Sequence, residues 1–322
     1  MILLTFFITF ALAQTTTEIL IFQKSDLPPH TPSANLSSLP SWDGRLARAI
    51  IRKSDDRGKV FEFVTQHNSY GFRITGRPPS TIKPDTHLFL NGCSWTYGTG
   101  VAGDKTFAAH LEAERPRSRV VNMATRGGSP AEALYLWRNF NWPEVYPESK
   151  GLLIFTLIDA HIERLKRRWR YLNWGQPSAP VFDEELTESR PLEEFLDYRW
   201  AKFVKGLGLD YVWLRGTAHF STTAPQEFSN LMVRYLRAVK ADYLKQYPAG
   251  RFVVAWMKPE EAHFSDEQLL SLKTTLEKAG IEYWQPLRPL SSTYQDYGIP
   301  RDGHPTELAH REYADFLLSR IP

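Results

Sequence analysis

From residue 86 to the end of the chain, short apolar runs alternate with segments of helical periodicity. The apolar runs are 86–92 (THLFLNG), 118–123 (SRVVNM), 151–158 (GLLIFTLI), 251–257 (RFVVAWM) and 281–284 (IEYW). The helical segments are 104–114, 129–140, 225–247, 265–280 and 306–320. Strands that alternate with helices predict βα units, which build a parallel sheet covered by helices on both faces. Active sites of such sheets lie outside the carboxyl ends of the strands, so residues that follow each run are the first candidates for function.

The N-terminal part of the chain has a different character. Residues 2–13 (ILLTFFITFALA) are apolar and end in Ala-x-Ala, which is typical of a signal peptide and too short to span a bilayer. We therefore expect residues 1–13 to be cleaved on export to the periplasm or the medium, and we expect no integral membrane segment elsewhere. Residues 14–84 are expected to form a Pro- and Ser-rich arm and a short β hairpin at 59–73, ahead of a catalytic domain at 85–322.

Composition excludes several classes of function. The formal net charge of +3 is far below the basic excess of most nucleic-acid-binding proteins, so no nucleic-acid partner is expected. Cys93 is the only cysteine, which rules out an intrachain disulfide and a cysteine-based zinc site. The histidines show no spacing that demands a metal. We therefore expect neither a metal nor a cofactor.

The most glycine-rich stretch, 91–100 (NGCSWTYGTG), directly follows the first predicted strand. Gly98 to Gly103 spell G-x-G-x-x-G, but a dinucleotide site needs the first glycine at the strand end and an acidic residue after the next strand, where Asn122 and Met123 stand instead. A phosphate loop is also excluded, because Asp104 interrupts the glycine-lysine spacing. The glycines therefore indicate turns rather than a nucleotide site.

Ser94 lies just past the first strand, where a nucleophile would be exposed. A serine nucleophile needs a base, and the base usually needs a carboxylate to orient it. Asp302 and His304 lie in 301–310 (RDGHPTELAH), immediately before the last helix. The pattern predicts a Ser94–His304–Asp302 triad if the fold brings the two loops together.

These stretches together resemble the SGNH (GDSL-type) hydrolases. LFLNGCSWTYGTGV resembles the family's first block, VVNMATRGG the second and DGHPTELAH the last, and VTQHNSYGFR is similar to a segment that precedes the catalytic domain in some bacterial members. The resemblance covers about 60–322 and implies a flavodoxin-like three-layer α/β/α sandwich with a central parallel sheet of about five strands. It also implies an oxyanion hole formed by the backbone N–H groups of Ser94 and Gly127, with Gly128 beside Gly127.

Two departures mark the chain as an atypical member. Cys93 replaces the aspartate that usually precedes the serine; it could itself be a nucleophile or simply pack as a small apolar side chain. The third block, LIFTLIDAHIER, lacks the usual oxyanion-donating asparagine. His161 could be a third oxyanion donor with Asp159 and Arg164 as support, or Asp159 could cap the following helix while His161 packs in its first turn.

The resemblance implies a serine esterase that hydrolyses an acyl ester, with acetyl as one candidate. An insertion at about 171–224 is rich in aromatic residues, which favours a carbohydrate or cell-wall glycan as the alcohol part of the substrate. Two alternatives are an O-acetyltransferase with the same triad and a non-catalytic glycan-binding envelope protein on the same scaffold.

Overall fold

A computed structural model describes most of the chain. The described residues are 17–23, 48–55, 57–68, 70–78, 81–167, 171–172, 175–207, 224–257, 266–285 and 297–322. The predicted signal peptide and the Pro- and Ser-rich part of the arm lie outside them.

The described residues form ten strands and eight helices besides short 3-10 turns. The strands are β1 Thr17–Gln23, β2 Arg48–Asp55, β3 Gly58–Gln66, β4 Thr86–Asn91, β5 Ser118–Asn122, β6 Lys150–Leu157, β7 Pro180–Phe182, β8 Ser189–Pro191, β9 Ala249–Trp256 and β10 Glu282–Trp284. The helices are α1 Ser94–Tyr97, α2 Phe107–Glu114, α3 Pro130–Asn139, α4 Ala160–Leu165, α5 Leu196–Gly206, α6 Pro225–Gln246, α7 Asp266–Lys278 and α8 Glu307–Leu318.

The predicted α/β sandwich is confirmed. Five strands form one sheet in the order β10-β9-β6-β4-β5, and every neighbouring pair is parallel. Counted along the chain from the β5 edge this is the order 2-1-3-4-5, the flavodoxin-like arrangement. The strand order reverses at β4, so the residues after β4 lie at the point where such folds place their sites.

Alternate residues of the central strands face two separate cores. Phe89 and Phe155 point into a core that contains buried residues of α3, α6 and α7. Leu88, Leu90 and Ile154 point into the other, against α2 and α8. This alternation explains why the strands read as continuous apolar runs, because both faces of the sheet are buried.

The N-terminal sheet is antiparallel in the order β1-β2-β3. The turn expected after β3 is present, with Asn68 Oδ1 accepting from the backbone N of Phe72 at 3.0 Å. The main partner of β3 is nevertheless β2, with which it forms a continuous ladder. In the described part of the returning chain, Arg73 forms isolated bridges to His67 and to Asn122.

The insertion contains a small hairpin, β7 with β8, followed by α5. Some of its buried side chains, including Tyr171 and Tyr198, form a separate cluster, while Phe182 and Leu186 join the core that contains α3 and α6. Trp200, in contrast, is 55% exposed, and so is its neighbour Phe203 at 57%. The insertion therefore buries some of its aromatic rings and presents others to solvent.

Candidate active site

A tight turn after β4 presents Ser94. Gly92 has φ +155°, and a Cβ there would collide with the hydroxyl oxygens of Thr96 and Thr156. Only glycine allows the chain to pass this close to the end of β6. Ser94 follows as the first residue of α1 and is 9% exposed.

Helix α1 is a single turn, and side chains from other segments donate to carbonyl groups at its end and just after it. Arg73 donates from Nη1 to the carbonyl of Tyr97 at 2.8 Å and from Nη2 to that of Val101 at 2.7 Å. Asn122 donates to the carbonyl of Thr96 at 3.0 Å. Burial lowers the pKa of Arg73 to about 10, which still leaves it charged at neutral pH. A buried cation at the C-terminal end of a short helix stabilises that helix.

The predicted oxyanion loop touches this turn. Gly127 has φ +78°, and Gly128 lies so close to the carbonyl of Gly92 that an added Cβ would be 2.5 Å from that oxygen. Arg164 donates to the carbonyl of Gly128 from the other side. The loop is therefore held between α4 and the turn that carries Ser94.

The predicted base and acid form a contact pair. Nδ1 of His304 contacts Oδ1 of Asp302, which also accepts from the backbone N of His304 at 3.2 Å. The Asp302 side chain is 1% exposed. Burial alone would raise the pKa of this carboxyl, but its hydrogen bond to His304 and its contact with Lys53 hold the pKa below the usual range. Asp302 is therefore a buried carboxylate at neutral pH.

The loop with Asp302 and His304 packs against the residues after α1. The Ile299 side chain occupies the space where a Cβ of Gly100 would stand, and Phe61 lies 3.6 Å from the same position. Ile299 also packs against the cluster that contains Tyr97. Ser94 and His304 thus belong to neighbouring segments, and their pairing in a triad stays a prediction.

Asp159 and His161, from the third block, both form hydrogen bonds with the backbone around the start of α4. Asp159 caps α4 by accepting from the backbone N of Ala160 at 2.8 Å. The His161 ring is fully buried, and its Nδ1 accepts from the backbone N of Ile158 at 3.3 Å. Burial, together with nearby Arg164, lowers the pKa of His161 well below its usual value, so the ring is neutral with its proton on Nε2. Both contacts match the capping and packing alternative, while a direct part for His161 in the oxyanion hole stays a prediction.

Two further side chains near the site are Cys93, for which the sequence allowed two interpretations, and Arg73, which sequence reasoning did not single out. Cys93 is fully buried in the core on the α2 and α8 side, so it packs as a small apolar residue. Arg73 lies in the VTQHNSYGFR stretch, but no local pattern indicated that it reaches α1.

Comparison with known proteins gives structural matches alone. No protein-family model and no curated protein matches the chain. Among solved structures, it is similar to a member of the lipolytic protein G-D-S-L family from Veillonella parvula (10% identity, 73% of this chain and 97% of that chain, TM-score 0.39). It is also similar to the psychrotrophic esterase EstA from Pseudoalteromonas sp. (10% identity, 73% of this chain and 95% of that chain, TM-score 0.39). A third similar structure is a Corynascus thermopiles carbohydrate esterase family 2 enzyme with a carbohydrate-binding domain (14% identity, 84% of this chain and 75% of that chain, TM-score 0.43).

The chain's own sheet order and two helical layers show a flavodoxin-like three-layer α/β/α sandwich. Within the described ranges, no helix is long and apolar enough to cross a membrane. The same ranges contain no cluster of three His, Cys, Asp or Glu side chains that could hold a metal ion.

Proposed function

We propose that this protein is a serine ester hydrolase with Ser94 as nucleophile, His304 as base and Asp302 as the orienting acid. The observation that carries the proposal is the buried Asp302 carboxylate in contact with Nδ1 of His304. This contact keeps the proton of a neutral imidazole on Nδ1 and leaves Nε2 as the basic nitrogen.

Hydrolysis then proceeds in two acyl transfers. Ser94 Oγ bonds to the ester carbonyl carbon while its proton passes to Nε2 of His304, and the resulting imidazolium protonates the departing alcohol as the C–O bond breaks. Water next attacks the acyl-serine, giving its proton to His304, and the serine leaves with that proton. The backbone N–H groups of Ser94 and Gly127 would stabilise the oxyanion in both steps. The close packing of Gly128 against Gly92 supports this assignment, since it joins the two donor segments.

The finer proposal is an acetylated carbohydrate as substrate, handled outside the cytoplasm after removal of residues 1–13. Trp200 and Phe203 support it, because they are exposed neighbours on the insertion with ring centroids 5.5 Å apart. Adjacent exposed rings can stack on sugar faces. Both rings lie on α5, and Arg167, which follows α4, forms an ion pair with Asp197 of α5 at 3.4 Å.

The test is hydrolysis of p-nitrophenyl acetate and of acetylated glycans by the wild type, Ser94→Ala and His304→Ala. We expect each variant to lose on the order of 10³-fold or more in kcat, as removal of a triad member does. A phosphonate ester should label Ser94 alone, located by peptide mass spectrometry. Equal rates from the three proteins would refute the triad. Acyl transfer to an added sugar in preference to water would instead identify an O-acetyltransferase, and sugar binding without turnover a glycan-binding protein.

A further inference from the structure

We infer that Lys53, on the N-terminal sheet, is a positioning residue for the catalytic acid: it holds Oδ2 of Asp302 while His304 engages Oδ1. This inference rests on the proposed triad and adds to it a residue from outside the central α/β sheet. Lys53 Nζ contacts Oδ2, and Nδ1 of His304 contacts Oδ1, so each carboxylate oxygen has its own charged or polar partner.

The contact between Lys53 and Asp302 matters because the Asp302 carboxylate is buried. The Asp302 side chain is 1% exposed, whereas the Lys53 side chain is 25% exposed and reaches the carboxylate from the solvent side. A buried carboxylate oxygen without a donor costs free energy, and the carboxyl would rotate or take up a proton to reduce that cost. Either change would alter the contact with Nδ1 of His304.

The strand that carries Lys53 is irregular at this point. Lys53 pairs with Phe61 and Ser54 with Lys59, so Val60 is an extra residue in β3. Such a bulge bends the strands and redirects side chains, and bulges are over-represented beside active sites.

Two more contacts fix the same loop to the same hairpin. Arg301 donates to Oδ1 of Asp55 at 2.5 Å and to the carbonyl of Lys59 at 2.9 Å. Ile299 packs with Phe61 in the cluster beneath. The β2–β3 hairpin therefore contacts the loop at Ile299 and Arg301 as well as at Asp302, and Lys53 is the hairpin residue that contacts the carboxylate.

Lys53 is the cation in direct contact with this carboxylate. Its contact and its charge favour the ionised form of Asp302 and help to hold the pKa of that carboxyl below its usual range. The neighbouring Arg301 is already engaged in an ion pair with Asp55.

The test compares Lys53→Met, Lys53→Gln and Lys53→Arg with the wild type, measuring ester hydrolysis from pH 5 to 9. We expect Lys53→Met to lose about tenfold or more in kcat with little change in KM. Lys53→Arg, which keeps the charge and a donor, should restore most of the lost kcat. The matched control is Arg52→Gln, which removes the neighbouring residue's ion pair with Glu62 at 2.6 Å without touching the loop, and it should behave as wild type.

The outcomes separate the two proposals. If the wild type is active and Ser94→Ala is not, but Lys53→Met keeps the wild-type rate and pH profile, the inference about Lys53 is wrong and the triad stands. If wild type and Ser94→Ala are equally inactive, the proposed function itself fails. If Lys53→Met does not fold, as judged by circular dichroism, Lys53→Gln decides: it keeps a donor but no charge, so a wild-type kcat would overturn the role of the Lys53 charge.

Discussion

The contact between the oxyanion loop and the nucleophile turn predicts a sharp response to Gly128→Ala. A Cβ at this position would be 2.5 Å from the carbonyl oxygen of Gly92 and 2.5 Å from Oγ1 of Thr125. Ordinary contacts of a Cβ begin at about 3.4 Å, so the loop would have to retreat by about 1 Å. Gly128 has no positive φ, so the effect of the substitution comes from this close approach alone.

The size of the effect follows from what must move. Overpacking of this kind usually costs about 1–3 kcal/mol of folding free energy. A retreat of about 1 Å would separate the Gly127 N–H from the Ser94 turn, and a misplacement of that size costs about 10²-fold in rate. We therefore expect kcat for p-nitrophenyl acetate to fall about 100-fold while the protein remains folded at 25 °C.

The matched control is Gly206→Ala. Gly206 ends α5, no atom lies within 4 Å of its added Cβ, and it has no positive φ. Alanine there should stabilise the protein by about 0.5–1 kcal/mol and leave hydrolysis unchanged. Urea unfolding and steady-state kinetics measure both effects. If Gly128→Ala hydrolysed the ester at the wild-type rate, the oxyanion loop would have to lie elsewhere.

Two further substitutions test the support of the site. Arg73→Leu leaves the buried carbonyls of Tyr97 and Val101 without their donor, so urea unfolding should show a loss of about 2–4 kcal/mol; a loss below 0.5 kcal/mol would contradict this role. Glu132 is buried behind the oxyanion loop, and burial raises its pKa to about 7. The folded carboxyl thus keeps its proton where the unfolded one has lost it, so stability should fall by up to about 3 kcal/mol as pH rises from 4.5 to beyond 7. Glu132→Gln should lack this fall, and urea midpoints at pH 5 and pH 8 that change equally in both proteins would refute the assignment.

The central fold was predictable because its signals are local. Each buried strand of the central sheet is a short apolar run, and each covering helix carries apolar side chains at helical spacing. In α6, for example, Phe228, Met232 and Leu236 recur every four residues and are buried together. The contact between Asp302 and His304 was also predictable from the sequence, because the two residues are two positions apart in one loop.

What the sequence could not predict are contacts between residues far apart in the chain. Lys53 and Asp302 are separated by 249 positions, and neither residue's neighbours indicate the other. Arg73 likewise reads as a surface residue after a turn, although its guanidinium is buried against α1. For Asp159 and His161 the sequence allowed two interpretations, and only the burial of the His161 ring distinguishes the packed arrangement from an open one.

The same separation of Lys53 from Asp302 has a consequence for how the protein matures. A contact that spans 249 positions forms only after the intervening chain has been synthesised and has collapsed onto its sheet. Lys53 and Asp302 therefore meet late in folding, after the strands between them have paired, and until then Oδ2 of Asp302 lacks this cation.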